Sequence, residues 1–354
     1  MAVVAPTLSS AFHAPTDMAL RHAGLLQEHG LDVAVFAAQE FQMRNMPNWL
    51  GVPRNMKIDA AKPEGWPKTQ RPLALKIAPL ALSMGSRWHT LLQQIQGFAP
   101  DAVLFIGPYS PLLFALHQRY PTVGLGTNAV APVGPLDVWL APQASLQASW
   151  RPTFDARDIV AYSHRLSLLP AKQARNRQAL GLPANAVVWV TTGSRLAREI
   201  SPAWRDSVLA ALARHPECHW LVVGQAQVAD LPSNHPRVHV QGFDVELPSL
   251  LKACDIYLNP PRLGGGHTVA CAMAQGLPVL SLPGSDGGDK VGPWAQADLR
   301  QYFLALEQLS SQAAARQQLG QHLRQRYFDT FDLAAGAPTL LAALKTATQG
   351  QTAG

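Results

Sequence analysis

The chain predicts an α/β protein built from two doubly wound, Rossmann-like domains, and three observations carry that reading. Short apolar runs of strand length alternate with helix-length amphipathic segments along most of the sequence. Some of these runs, the apolar 102–106 and the largely β-branched 187–192, show no alternation, which fits parallel strands covered on both faces. The length of 354 residues, with 47% hydrophobic and only 15% charged residues, suits two buried cores of roughly 100–200 residues each and excludes a disordered chain.

Residues 2–5 read as a first strand, followed by a loop over 6–15 and a helix opening at Thr16. Its apolar face is Met18, Leu20, Ala23, Leu25 and Leu26, and Gly30 closes it. Residues 31–36 form the next strand, and this order begins a βαβ unit, because parallel strands need a crossover helix. Residues 39–71 hold four prolines and little periodicity, which predicts an irregular excursion. A helix over 83–97, a strand over 102–106, a helix over 111–120 and strands at 122–125 and 138–141 complete an N-terminal domain, 1–165. The stretch 143–169 lacks periodicity and reads as the bridge.

The pattern restarts in a second domain, 166–335, with a helix from Ala171 to Gly181 and a β-branched strand at 187–192. A helix at 202–215, strands at 220–223 and 238–241, a helix at 247–253, a strand at 256–258, a helix at 267–275 and a strand at 278–282 follow. The tail over 295–347 is mostly helical, with Leu299, Tyr302, Phe303, Leu306 and Leu309 on one face. Residues 336–354 form a last helix and tail. Two such domains are expected to face each other across a cleft, since open α/β sheets bind ligands at their carboxyl edges.

The 29 Lys+Arg against 23 Asp+Glu leave a net charge of +6, but the basic residues are scattered and form no run. This argues against a nucleic-acid partner and toward small anions such as phosphates. Cys218, Cys254 and Cys271 lie far apart, which speaks against a disulfide framework and against a cysteine-ligated zinc site. The apolar stretches are too short or too interrupted to span a bilayer, and no basic stretch precedes the first strand, so a cytoplasmic protein without a transmembrane segment is expected.

The most informative segment is 258–268, a strand end, a glycine-rich turn with Gly264, Gly265 and Gly266, and a helix starting near His267 and Thr268. Glycines admit backbone conformations closed to other residues, and a helix start offers free N–H groups to a diphosphate. His267 and Thr268 would add side-chain donors; the alternative is a tight turn that needs glycine only for packing. After the strand at 187–192, Ser194, Arg195 and Arg198 offer a second phosphate contact, the arginines through their planar forks. They read equally as loop residues, one arginine pairing with Glu199. Asp286, with Asp289, follows the last strand of this half, where a ribose or sugar hydroxyl could be held.

In the first domain His13 and Asp17 flank the loop after the first strand. Either could deprotonate an acceptor, while Asp17 could instead cap the helix. Thr127 and Asn128 lie in a loop after a strand, facing an acceptor or forming plain surface.

These residues resemble the GT-B glycosyltransferases, and within them the family of O-GlcNAc transferase and the bacterial cytoplasmic adhesin N-glycosyltransferases. The resemblance is carried in order by Phe12-His13, the segment 120–126 followed by Asp137, Leu180-Gly181-Leu182-Pro183, Ile200-Ser201-Pro202 with Trp204, and His215-Pro216. Its most specific part is Gly266-His267-Thr268 with Gly276-Leu277-Pro278-Val279 and Pro283-Gly284. It implies that His267 and Thr268 hold a UDP diphosphate and that His13 serves at the acceptor. The family's phosphate-binding lysine falls at or beside Glu199, so Arg195 or Arg198 would replace it, and its ribose-binding acid falls near Ala272. The retaining GT-B group with two glutamates eight positions apart has its counterparts here at Leu263 and Cys271, which favours inversion. The expectation is therefore an inverting transferase that moves a sugar from a UDP-linked donor to a protein or glycan acceptor, without metal or cofactor. Its alternatives are a retaining transferase acting on a glycan or lipid, a nucleotide-sugar epimerase, and a catalytically silent partner subunit.

Overall fold

The computed structural model describes residues 1–8, 14–41, 72–127, 131–142, 156–168, 170–193, 195–224, 231, 235–244 and 246–351. The chain forms two compact units, Met1–Ser167 with Leu333–Gly354, and Leu168–Asp332.

In the first unit the elements run β1 (Ala2–Ala5), α1 (Ala14–Glu28), β2 (Ala34–Ala37), β3 (Ala74–Ile77), α2 (Met84–Phe98), β4 (Val103–Ile106), α3 (Pro111–His117), β5 (Thr122–Leu125), β6 (Leu136–Ala141) and β7 (Ala156–Ala161). Among the described residues these strands form one parallel sheet in the order β3-β2-β1-β4-β5-β6-β7. Successive strand residues point to opposite faces, and both faces are covered. Val3, Val35, Leu104 and Val138 pack with α1 on one side, while Val4, Phe36, Phe105 and Trp139 pack with α2 and α3 on the other. That double burial is why the interior strands read as unbroken apolar runs.

The two edge strands, β3 and β7, escape the sequence reading for the same reason. Each has a single neighbour and a burial that alternates residue by residue, so Lys76, Arg157 and Asp158 are tolerated within them.

The second unit continues with β8 (Val187–Thr192), α4 (Leu196–Glu199), α5 (Pro202–Arg214), β9 (Cys218–Val223), β10 (Val238–Gln241), α6 (Leu247–Leu251), β11 (Ile256–Leu258), α7 (Gly266–Gln275), β12 (Val279–Leu280), α8 (Asp286–Val291), α9 (Leu299–Ser311) and α10 (Ala313–Arg326). Its described strands are parallel in the order β10-β9-β8-β11-β12. The core gathers Trp189, Trp204, Trp220 and Tyr302, with Trp204 edge-on to both Trp220 and Tyr302.

The expected helix from Ala171 to Gly181 is not formed; only a 3₁₀ turn at Gln178–Leu180 appears there. Its arginines tie the segment to the domain instead. Arg175 pairs with Asp244 at 2.9 Å, and Arg177 pairs with Asp255 at 2.8 Å and donates to the carbonyls of Ala184, Ala186 and Ala253. The final helix α11 (Ala337–Gln351) returns to the first unit, where Leu340, Ala343, Leu344 and Ala347 join the core on the α1 side.

Candidate functional site

Strand order alone singles out one edge of the second unit. The chain runs outward from β8 to β9 and β10, then returns to place β11 on the other side of β8, so the loops leaving β8 and β11 diverge from adjacent strands. Such a switch point is where open α/β sheets bind ligands. Those two loops carry Gly193 to Glu199 and Asn259 to Gly265.

Arg262 joins them. Its side chain is only 4% exposed and donates to Glu199 Oε2 at 2.8 Å, Asn259 Oδ1 at 2.8 Å, the Thr192 carbonyl at 3.1 Å and the Tyr257 hydroxyl at 3.3 Å. The Tyr257 hydroxyl lies 2.9 Å from Thr192 Oγ1 and 2.8 Å from Thr268 Oγ1, and Thr268 donates to the Gly265 carbonyl at 3.1 Å. A continuous hydrogen-bonded network therefore runs from the end of β8 to the first turn of α7.

The glycines of the turn follow from that network. Gly265 sits at φ +93°, and a methyl group there would come within 2.6 Å of the Arg262 guanidinium; on Gly193 it would lie 2.8 Å from the same group. Packing thus accounts for Gly265. Yet Gly265 caps α7 without a side-chain acceptor, and a methyl on Gly264 would lie 2.9 Å from Nη2 of Arg195. An uncapped helix start with a guanidinium on the preceding turn is a strong arrangement for an anion. On the other flank, Asp286 N–H donates to the Leu263 carbonyl at 2.9 Å, and a methyl on Gly266 would lie 2.9 Å from Asp286 Cβ. Partial burial lifts the Asp286 carboxyl above its ordinary range, against the pull of Lys290 and Arg195.

The residues expected from the sequence fall in different places. Arg195, Gly265, Gly266, His267, Thr268 and Asp286 gather at the turn. His267 is exposed on the first turn of α7, whereas the Thr268 hydroxyl is engaged by Tyr257 and Gly265. Arg195 bonds Glu199 at 2.9 Å, and Arg198 is exposed on the short helix α4. Ser194 lies outside the described residues.

In the first unit His13 and Asn128 also lie outside the described residues. Thr127 is half-buried after β5. Asp17 stands in the first turn of α1 with both carboxylate oxygens on Arg21, at 2.7 and 2.9 Å.

Sequence reading missed Arg262, Tyr257 and Asn259 in the second unit and Glu40 in the first. Glu40 follows β2 and is 8% exposed, and its Oε1 accepts from Ser110 Oγ at 2.5 Å and Trp88 Nε1 at 3.1 Å. Its other oxygen takes no hydrogen bond among the described residues. Burial pushes the carboxyl up to about 7, against the pull of Ser110 and Trp88. The available signal was a Gln39-Glu40 pair placed directly after an apolar strand. Because its folded value exceeds its unfolded one, Glu40 favours the native state at low pH, and that contribution is lost as pH rises from about 4.5 through 7. Glu40→Gln keeps an acceptor for Ser110 and Trp88. It is expected to be more stable than wild type by about 3 kcal/mol at pH 8 and nearly equal to it at pH 4, read by urea denaturation at both pH values.

Residues 194–302 match the sequence profile of the family described as Glycosyl transferases group 1. No curated protein matches the chain. Solved structures resemble it over nearly its full length at low identity. A glycosyltransferase from Rickettsia africae ESF-5 matches with a TM-score of 0.64 at 11% identity, covering 98% of each chain. WaaG, a glycosyltransferase involved in lipopolysaccharide biosynthesis, matches at 0.57 and 16%, covering 97% of this chain and 98% of its own. A putative UDP-N-acetylglucosamine 2-epimerase from Listeria monocytogenes matches at 0.58 and 13%, covering 99% and 97%. At such identities the likeness concerns the GT-B fold.

Proposed function

We propose that the donor of this glycosyltransferase of GT-B fold, whose residues 194–302 match the group 1 profile, is a UDP-linked sugar whose diphosphate lies on the first turn of α7. The observation that carries this is the uncapped α7 start beside Gly264, with Arg195 against it. The acceptor attacks the anomeric carbon as the bond to UDP breaks. The negative charge that grows on the diphosphate is met by the α7 N–H groups, His267 and Arg195. Thr268 and Arg262 keep that turn in shape, and Asp286 beside it would take a ribose or sugar hydroxyl.

Inversion is supported by what stands at the two glutamate positions of retaining relatives, and a diphosphate held without a metal by the α7 start and Arg195 that would neutralise it. Leu263 is 84% exposed and Cys271 is buried, and neither offers a carboxylate. The acceptor is assigned to the first unit. There Arg21 engages Asp17, and His13 is the expected base. The acceptor is a protein side chain or a glycan.

Calorimetry with UDP, GDP and dTDP tests the donor, with UDP expected to bind most tightly. Silence from all three on folded protein would overturn the donor site and favour a partner subunit that binds no donor. If UDP binds, incubation with UDP-sugars and a cell lysate, followed by product mass and anomeric configuration, separates inversion from retention and from epimerisation.

A further inference from the structure

At the amino end of β9, the sheet edge opposite the nucleotide turn, we propose a zinc site formed by His215, Glu217 and Cys218, independent of the sugar-transfer reading. His215 Nδ1 lies 3.2 Å from Glu217 Oε1, and Cys218 Sγ lies 3.8 Å from the same oxygen. The three donor atoms all fall within 4.8 Å of one another. Tetrahedral zinc with ordinary bond lengths sets its nitrogen and oxygen ligands about 3.3 Å apart and its sulfur and oxygen ligands about 3.5 Å apart. The atoms therefore already stand near the spacing a zinc ion needs.

The second nitrogen of His215 supplies an independent argument. Its Nε2 meets Glu307 Oε2 on α9, so one imidazole sits between two carboxylates. A neutral imidazole has a single N–H. When that hydrogen goes to Glu307, Nδ1 turns a lone pair toward the Glu217 oxygen, and a cation between them removes the repulsion. A carboxylate on the far nitrogen of a ligating histidine is the usual outer partner in zinc sites, where it fixes the tautomer. A mixed nitrogen, oxygen and thiolate set suits zinc and not calcium or magnesium, which take oxygen ligands.

Two arginines border the site without taking the Glu217 carboxylate among the described contacts. Arg214 pairs with Glu307, and Arg237 donates to the carbonyls of Leu212, His215 and Cys218. The backbone closes the turn with Cys218 N–H on the His215 carbonyl at 3.0 Å. Glu217 is exposed, which gives an ion a route in and leaves room for water as a fourth ligand. Zinc would bind as the divalent ion, with Cys218 giving up its thiol proton to solvent and no change in oxidation state. The cysteine spacing hid this site because one cysteine suffices when histidine and glutamate stand three and one positions before it.

The whole protein is stripped with chelator, dialysed and titrated with zinc chloride by calorimetry, with cobalt(II) as a spectroscopic probe. One equivalent of zinc is expected, together with a thiolate-to-cobalt charge-transfer band and a rise in Tm with zinc but not with magnesium. Cys218→Ser should abolish the band, and Glu307→Gln should weaken zinc by about tenfold to a hundredfold while leaving the three ligands in place. Glu217→Gln, on an exposed side chain, tests the oxygen ligand without risk to folding. Absence of both heat and band at millimolar metal on folded wild type overturns the site and leaves a proton as the cation between the carboxylates. So does a band that persists in Cys218→Ser.

Discussion

Replacing Arg262 by methionine is expected to lower the stability of the second unit by about 3 kcal/mol, read as a fall in the urea midpoint at unchanged slope. Methionine keeps the apolar volume of the stem, so the loss comes from the partners left behind. The Glu199 side chain is 14% exposed, and the Thr192 carbonyl and Asn259 Oδ1 lose their donor. Removing one member of a buried pair costs about 3–5 kcal/mol, and Arg195, which stays on Glu199, places this case at the low end. Adding Glu199→Leu to Arg262→Met should recover most of the loss, because neither charge is then stranded. A double variant as unstable as the single one would show that the ion pair is not what Arg262 contributes. UDP affinity should fall in the single variant as well, since Gly265 and Thr268 lose the network that shapes their turn.

Replacing His267 by alanine is expected to slow sugar transfer by about 10²–10³-fold, the usual cost of one donor aimed at charge that develops in the transition state. Affinity for UDP should fall less, by about tenfold, because the proposed contacts of the product diphosphate with the α7 N–H groups and Arg195 remain. The side chain is exposed, so its removal leaves no cavity. Unchanged transfer and unchanged affinity together would remove His267 from the mechanism.

Both predictions concern one turn, and they differ in how visible their residues were beforehand. The glycines and His267 are local signals: a strand end, residues able to take φ above zero, and a helix start all fall within a dozen positions. Arg262 lies in the same stretch but reads as an ordinary loop arginine. Its importance depends on Glu199, 63 positions away, and on Thr192, 70 positions away. Glu40 likewise depends on Ser110, 70 positions away, and on Trp88. The apolar runs of β1, β4 and β8 were legible because burial on both faces imposes apolar residues at every position, whereas the edge strands β3 and β7 feel that constraint on alternate residues only.

The sequence by itself determined the α/β alternation, the two parallel sheets and the glycine turn, since each follows from periodicity or backbone freedom within a short window. The tertiary structure alone decided where the charged side chains stand and what each is partnered with: Arg195 beside the turn and on Glu199, Arg262 buried behind it, Asp17 tied to Arg21, Glu40 shielded. It likewise sent α11 back to the first unit. Apart from neighbouring pairs such as Asp17 with Arg21, the partner of a charge is set by distances across the fold and by the water excluded there, and neither is written in the spacing of residues along the chain.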